Sequence, residues 1–182
     1  EELSRERLEN YSFIVAANVG NLNEYEVSRL EHFVLDGGGL LVFAGELVLP
    51  ESYNGLFWRD AEEVPEEKSD DEEGAKKPPS LLPAKLLAPV MDETGRNPFK
   101  MNLELPGHPC FSTDFPMPKA TAFARASFRK FLQTKVESED RDVRVLARFT
   151  DAGRSPAILE RIYGRGKVIM VTTTADIDWN RW

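Results

Sequence analysis

Apolar runs and helical periodicity alternate along the first 45 residues of the chain. Residues 11–19 form an almost unbroken apolar run, and residues 40–44 form a second one. Short runs of this kind predict strands that are buried on both faces. Between the two runs, apolar residues recur at helical spacing and predict an amphipathic helix over Glu24–Leu35, with Asn23 as its N-cap.

The predicted helix is followed by a glycine-rich turn, Gly37-Gly38-Gly39. Glycine readily supplies the left-handed conformation that ends a helix. A strand, a helix, a turn and a second strand make a βαβ unit, and such units form parallel sheets with right-handed crossovers. The helix would cover one face of this sheet, so another part of the chain must cover the second face.

The last third of the chain has a different pattern. Residues 143–149 alternate between apolar and polar side chains, and residues 125–136 do so in part. A strand over residues 156–163 is followed by the short turn Gly164-Arg165-Gly166 and a further strand over residues 167–173. This succession predicts antiparallel hairpins joined by glycine turns.

The middle of the chain is less regular. Residues 52–58 fit either a short helix or an aromatic-rich loop. Residues 60–73 hold nine acidic side chains and one basic side chain, which predicts a solvated acidic insertion over about residues 59–79. A charged loop is preferred to a calcium site here, because no regular calcium-binding loop is present.

Two segments resemble a known family. Residues 33–45 (FVLDGGGLLVFAG) resemble the helix, Gly-Gly-Gly, strand signature of the class I glutamine amidotransferase-like superfamily. Residues 161–168 (RIYGRGKV), followed by a threonine run and Trp179, are similar to that family's closing hairpin. The resemblance is nearest to a branch that includes trehalose-utilisation-type proteins and parts of large bacterial membrane proteins with von Willebrand factor A-type domains.

The resemblance implies an α/β fold, a flavodoxin-like three-layer sandwich with a mostly parallel sheet and C-terminal antiparallel hairpins. It implies a single amidotransferase-like domain over residues 1–182. A first strand would precede residue 3 and a final helix would follow residue 182 in such a fold. We therefore expect this chain to be a fragment of a longer protein.

The catalytic machinery of the family is not matched. Active members hold a nucleophilic cysteine on a strand-to-helix elbow, and a late histidine–glutamate pair activates it. The corresponding elbow here is Gly45-Glu46-Leu47, and the late strand ends in threonines without a histidine. Because a thiol nucleophile needs a nearby base and oxyanion donors, we assign no catalytic residue.

Gly45 and Glu46 are therefore expected to form a vestigial elbow. A structural Glu46 would accept hydrogen bonds from backbone amides or pair with an arginine. The alternative is a functional Glu46 carboxylate in an open cleft, with a second polar group converging on it.

Three other residues are candidates for ligand binding. His108 lies in a proline-rich loop two residues before Cys110, and it would either bind a ligand at the carboxyl edge of the sheet or only set a turn. Asp176 and Trp179 follow the last strand, where open α/β sheets bind ligands. For Trp179, closing the edge of the core is the preferred alternative.

Composition and charge narrow the classes of partner. The chain has 23 basic and 31 acidic residues and a formal net charge of -8, which disfavours nucleic acid and anionic membrane surfaces as partners. Its apolar runs are far shorter than the roughly 20 residues that cross a bilayer. One cysteine and two histidines exclude a disulfide framework and disfavour multi-histidine and multi-thiolate metal centres, and no cofactor is expected.

The preferred hypothesis is a non-catalytic interaction or ligand-sensing domain of a larger bacterial membrane-associated protein. Its partners would be other domains or subunits of that complex. The extracytoplasmic part of such a protein is one location that the resemblance allows, and the sequence leaves the side of the membrane open. One alternative is an atypical hydrolase or amidotransferase with a site around Glu46, His108 and Cys110. Another is a sugar- or small-metabolite-binding domain related to the trehalose-utilisation proteins.

Overall fold

The computed structural model describes residues 3–58, 80–111, 125–137 and 140–181. The acidic insertion predicted at residues 59–79 lies outside the described residues. Within the described ranges the chain forms two α-helices and ten strands. In chain order they are β1 (Phe13–Ala17), α1 (Glu24–Leu35), β2 (Gly39–Phe43), α2 (Pro50–Phe57), β3 (Lys85–Met91), β4 (Met101–Leu103), β5 (Ser127–Phe128), β6 (Lys130–Lys135), β7 (Val143–Phe149), β8 (Pro156–Tyr163), β9 (Gly166–Val171) and β10 (Asn180–Arg181).

Six of the strands form one mixed sheet in the order β1-β2-β9-β8-β7-β4. β1 pairs with β2 in parallel, as predicted for the βαβ unit, and β2 also pairs in parallel with β9. The pairs β9-β8, β8-β7 and β7-β4 are antiparallel. The α/β class and the C-terminal hairpins are thus confirmed. The sheet is only partly parallel, because a short turn between sequential strands such as β8 and β9 requires antiparallel pairing.

Helix α1 begins and ends where the sequence predicts. Asn23 Oδ1 accepts the Glu26 backbone N–H at 3.0 Å, and Glu26 Oε2 accepts the Asn23 N–H at 3.2 Å. This reciprocal capping box satisfies two amide groups that the first turn leaves unpaired. At the other end, Gly37 adopts a positive φ of 112°, and the Gly38 N–H donates to Phe33 O at 2.9 Å. Of the segment at residues 52–58, for which two alternatives were open, residues 52–57 are helical in α2, and Trp58 follows the helix in an extended conformation.

The two faces of the sheet carry two apolar clusters. Both described helices pack into the cluster on the first face, whose members include Val34, Val42, Tyr53, Phe57 and Met170. The second face packs against residues of β5 and β6, in a cluster that includes Phe128, Phe131, Phe149, Ile158 and Val171. The sheet is therefore covered by helices on one side and, among the described residues, by strands and loops on the other.

Strand β6 lies beside the carboxyl end of β9. The Leu132 N–H donates to Thr172 O at 2.8 Å, and the Thr173 hydroxyl donates to Lys130 O at 3.0 Å. On its other side β6 pairs with β3 in a two-stranded antiparallel sheet. Through these contacts β6 brings Lys130 to the edge of the main sheet at which the parallel strands end.

The prediction that the first strand is buried on both faces is wrong. β1 is the end strand of the sheet, and its side chains alternate between two environments. Phe13 and Val15 are 49% and 53% exposed, whereas Ile14 and Ala16 pack in part against the helix-side cluster. An apolar run shows that a strand can be buried, but whether its second face is covered depends on distant parts of the chain.

Candidate functional site

The elbow after β2 is a tight turn that leaves no room for a side chain at Gly45. A Cβ atom there would lie 2.2 Å from Cγ and Oδ1 of Asn18. Asn18 has a positive φ of 52°, and its Oδ1 accepts the Leu47 backbone N–H at 2.8 Å. The loop after β1 therefore fixes the turn after β2 and directs Glu46 toward β6.

The Glu46 carboxylate is held by two side chains from distant parts of the sequence. Its Oε1 lies 2.6 Å from Lys130 Nζ and accepts the indole N–H of Trp179 at 3.0 Å. Lys130 Nζ also lies 4.4 Å from the centroid of the Trp179 ring, a cation–π contact. The hydrogen bonds from Lys130 and Trp179 lower the pKa of the Glu46 carboxyl. The partners of Glu46 are a lysine and an indole, not the backbone amides or the arginine expected for a structural carboxylate.

The remaining candidates at this edge are divided between core and surface. Trp179 is 3% exposed and belongs to the helix-side cluster, so its ring packs in the core. Its indole N–H donates to Glu46. Asp176 is exposed, and its Oδ1 accepts the Asp178 N–H at 3.0 Å within its own loop. Asp176 therefore shapes the loop that carries Trp179 and does not join Glu46 and Lys130.

Of the two alternatives for His108, a ligand site at the carboxyl edge of the sheet or a residue that only sets a turn, the structure does not place His108 at that edge. His108 Nε2 contacts the carboxylate of Glu160, and Glu160 pairs in register with Ile169 in the middle of β9. The loop that carries His108 packs over the second face of the sheet, where Phe111 enters the apolar cluster. The structure thus brings His108 to Glu160 and Cys110, away from the Glu46 elbow.

Glu160 is a buried acid in the middle of the sheet that sequence reasoning missed. It is 1% exposed, and its Oε1 lies 2.9 Å from Lys167 Nζ. Burial alone would raise the pKa of this carboxyl, but Lys167 and His108 outweigh burial and lower it. The charged residue in an apolar strand was the available signal, since buried carboxylates require partners.

Beside this acid, the Cys110 thiol meets the second nitrogen of the same imidazole. His108 Nδ1 lies 3.1 Å from Cys110 Sγ, and the Cys110 residue is exposed. Burial of the thiol, reinforced by the negative charge of Glu160, raises the pKa of Cys110 to about 11. The His108 imidazole therefore contacts the Cys110 thiol through one nitrogen and the buried Glu160 carboxylate through the other.

Apolar surface borders the edge of β1 that is unpaired among the described residues. A groove of about 720 Å³ runs along β1 on its α1 side, and its apolar lining includes Leu3, Leu8, Ile14, Ala16, Leu22 and Leu30. On the opposite face of β1, Phe13 and Val15 are half-exposed. Apolar surface thus borders both sides of one unpaired strand edge, which is a template for a further strand.

The hydrogen bonds of β1 show which of its groups face this edge. The Asn18 N–H donates to Phe43 O at 3.1 Å, and Ser12 O accepts the Gly39 N–H at 3.0 Å. Peptide groups alternate along a strand, so the even-numbered residues face β2. The N–H and C=O groups of Phe13, Val15 and Ala17 consequently face the free edge.

Two kinds of site are absent from the described part of the chain. Within residues 3–58, 80–111, 125–137 and 140–181, no three or more His, Cys, Asp and Glu side chains are arranged to hold a metal ion. No helix in the same ranges combines the length and apolar character needed to cross a bilayer.

Comparison with known proteins identifies a fold and no family. No protein-family model and no curated protein matches this chain. Two cytoplasmic proteins of Salmonella typhimurium share the fold, each at 16% identity, with TM-scores of 0.60 and 0.61. A β-galactosidase from Bacillus circulans sp. alkalophilus shares it at 13% identity, with a TM-score of 0.53.

These matches extend over nearly all of this chain but only part of each neighbour. The chain is covered over 93% and 97% by the Salmonella proteins and over 95% by the β-galactosidase. It spans 63% and 68% of the two Salmonella chains and 22% of the β-galactosidase. The fold thus recurs within longer chains.

Replacing the elbow carboxylate should have a small effect on stability that depends on pH. Glu46→Gln should lower the free energy of unfolding by less than about 1 kcal/mol at pH 7, because the Glu46 side chain is 65% exposed and water weakens the ion pair. A carboxyl whose pKa is lowered by folding stabilises the protein above its unfolded pKa, and this contribution disappears as the pH falls through the folded value. The two proteins should therefore converge in acid, as measured by urea unfolding.

The exposed Glu93 provides the matched control for this comparison. Glu93→Gln should leave the pH dependence of unfolding unchanged. A loss of several kcal/mol in Glu46→Gln at pH 7 would contradict a simple surface ion pair and would indicate that the elbow is held by this carboxylate.

Proposed function

We propose that this chain is a non-catalytic interaction or ligand-sensing domain of a larger bacterial membrane-associated protein, and that its partner surface is the free edge of β1. The occupant is an extended apolar segment from another domain or subunit of the same protein. The observation that carries the proposal is the outer edge of β1, which pairs with no strand in the described part of the chain and is bordered by apolar surface on both faces.

The character of β1 favours a strand as the occupant. Its sequence, FIVAA, contains no charge, no proline and no bulge, although exposed edge strands normally carry such features to prevent pairing. An added strand would place alternate side chains in the α1-side groove and against Phe13 and Val15. It would also satisfy the outward peptide groups of Phe13, Val15 and Ala17.

Two further observations support a module within a longer, non-catalytic protein. The Glu46 carboxylate occupies the elbow, where Lys130 balances its charge and Trp179 donates a hydrogen bond to it, so the turn that would present a nucleophile presents an ion pair. The solved neighbours also contain this fold as part of longer chains. The resemblance of residues 33–45 and 161–168 to amidotransferase-like proteins is the reason for proposing a membrane-associated parent protein.

Hydrogen exchange of individual β1 amides tests the proposed surface. In this chain alone, the amides of Ile14 and Ala16 should be protected by β2, while those of Phe13, Val15 and Ala17 should exchange quickly. In the protein encoded by the complete reading frame, the three outward amides should slow by at least about tenfold, because pairing shields them from water. The inward amides of Ile14 and Ala16 serve as the internal control.

A variant sharpens the same measurement. Val15→Lys places a charge on the half-exposed face of the edge strand and should prevent the added protection in the complete protein. Ile177→Lys, at a side chain that is 77% exposed away from β1, should leave it intact. Equal exchange of the outward amides in the chain and in the complete protein would refute the proposed surface.

A further inference from the structure

The thiol, imidazole and carboxylate of Cys110, His108 and Glu160 form a cluster that the proposed function does not use. His108 Nδ1 lies 3.1 Å from Cys110 Sγ, and His108 Nε2 contacts the Glu160 carboxylate. The His108 side chain is 8% exposed and Glu160 is 1% exposed, so the imidazole lies between a buried acid and the partly buried thiol of Cys110, a residue that is exposed as a whole.

The partners of the imidazole determine which of its nitrogens carries the proton. An ionised carboxylate only accepts hydrogen bonds, and Lys167 helps to keep Glu160 ionised. The neutral His108 ring therefore carries its proton on Nε2 and presents an unprotonated Nδ1. The Cys110 backbone N–H donates to the same Nδ1 at 3.3 Å, which agrees with this tautomer. The lone pair of Nδ1 therefore accepts this backbone N–H and also faces the Cys110 thiol, 3.1 Å away.

We propose that Cys110 is a thiol-modification site that exchanges with small-molecule disulfides, with His108 as the base that accepts the thiol proton and Glu160 as the residue that positions His108. A carboxylate that orients an imidazole also stabilises the imidazolium that forms when the ring accepts a proton. Three distinct side chains supply the nucleophile, the base and the orienting group, in the order that such chemistry requires.

The exchange step balances without an external oxidant. His108 Nδ1 accepts the proton of the Cys110 thiol, and Cys110 Sγ attacks one sulfur of the disulfide RSSR. A new S–S bond forms to Cys110 while the original S–S bond breaks, and the released RS⁻ takes the proton back from the imidazolium. The products are a mixed disulfide at Cys110 and one molecule of RSH.

The raised pKa of Cys110 makes the proposal distinguishable from an inert cysteine. A thiol with a pKa of about 11 and no working base would hold roughly a hundredfold less thiolate at pH 7 than an ordinary cysteine with a pKa of 9.0. Such a thiol would react more slowly in the folded chain than in the unfolded chain. A thiol that transfers its proton to His108 during attack would react faster.

The test is the rate of reaction with a dipyridyl disulfide, followed by absorbance of the released pyridinethione. All of the signal comes from Cys110, since the chain has one cysteine. At pH 7 we expect the folded chain to react at least about tenfold faster than the same chain unfolded in denaturant. The folded rate should also rise less steeply with pH than the rate of an unassisted thiol, which gains about tenfold per pH unit below its pKa.

Variants separate the base from its positioning residue. His108→Asn should lower the folded rate at least tenfold, and Glu160→Gln should lower it while changing the pH profile. His32→Asn, at the other histidine of the chain, should have no effect. If either the His108 or the Glu160 variant fails to fold, the proposal is still tested by the unmodified chain, through the ratio of its reaction rates in the folded and unfolded states. A folded thiol that reacts more slowly than the unfolded one would overturn the proposal, and this outcome is independent of hydrogen exchange at β1.

Discussion

Phe131→Ala is expected to lower the free energy of unfolding by about 3–5 kcal/mol, because truncating a fully buried phenylalanine removes its burial and leaves a cavity. Phe131 is 0% exposed. Its ring stacks on Phe149 with centroids 4.1 Å apart and meets Phe99 edge-on at 5.1 Å. Equilibrium urea unfolding measures the change.

The Phe131→Ala substitution should also disturb the elbow at Glu46, since Phe131 follows Lys130 in β6. A loosened β6 should weaken the contact between Lys130 and Trp179, which tryptophan fluorescence of the folded variant would report. Phe13→Ala is the matched control, because Phe13 is 49% exposed, and it should cost less than about 1 kcal/mol. Equal losses in the two variants would contradict the placement of Phe131 in the core.

Gly166→Ala is expected to destabilise the chain by about 3 kcal/mol, because β9 begins where the end of α1 approaches its backbone most closely. A Cβ atom at Gly166 would lie 2.2 Å from Val34 O and 2.3 Å from Gly38 O. Both oxygens belong to the backbone, so relief requires α1 and β9 to separate. The Arg165 N–H, which donates to Leu35 O at 3.1 Å, would be displaced as well. Thermal unfolding followed by circular dichroism measures the loss.

Gly55→Ala provides the opposite expectation with the same chemical change. Gly55 lies in α2, and a Cβ atom there would meet nothing within 4 Å. Alanine should therefore stabilise the helix by about 0.5–1 kcal/mol. A Gly166→Ala protein as stable as the unmodified chain would show that the close contact between α1 and β9 does not form.

Local interactions explain what was predictable about the fold. The start of α1 depends on Asn23 and Glu26, which are three residues apart, and its end depends on Gly37. Each of these signals acts within one helical turn, so the sequence contains the whole interaction. The parallel pairing of β1 and β2 was predictable for a similar reason, since a helix between two apolar strands leaves few other topologies.

The candidate sites depend on contacts between distant residues, and only part of each was predictable. The turn that carries Glu46 could be predicted from the glycine that precedes it, but the partners of Glu46, Lys130 and Trp179, come from separate strands and loops. His108 was recognised as a candidate, yet its contact with Glu160 placed it on the second face of the sheet. No periodic pattern in the sequence predicts the contacts of Glu46 with Lys130 and Trp179 or the contact of His108 with Glu160.

The sequence by itself determined the α/β class, the extent and caps of α1, and the absence of a cysteine at the elbow, because these depend on neighbours along the chain. Tertiary structure alone decided that β1 is the end strand of the sheet formed by the described residues. It also decided that His108 contacts both Cys110 and Glu160. The physical reason is that burial and side-chain pairing are set by which surfaces meet after the chain has folded. A run of apolar residues is compatible with a central strand and with an edge strand, and only the packed neighbours distinguish the two.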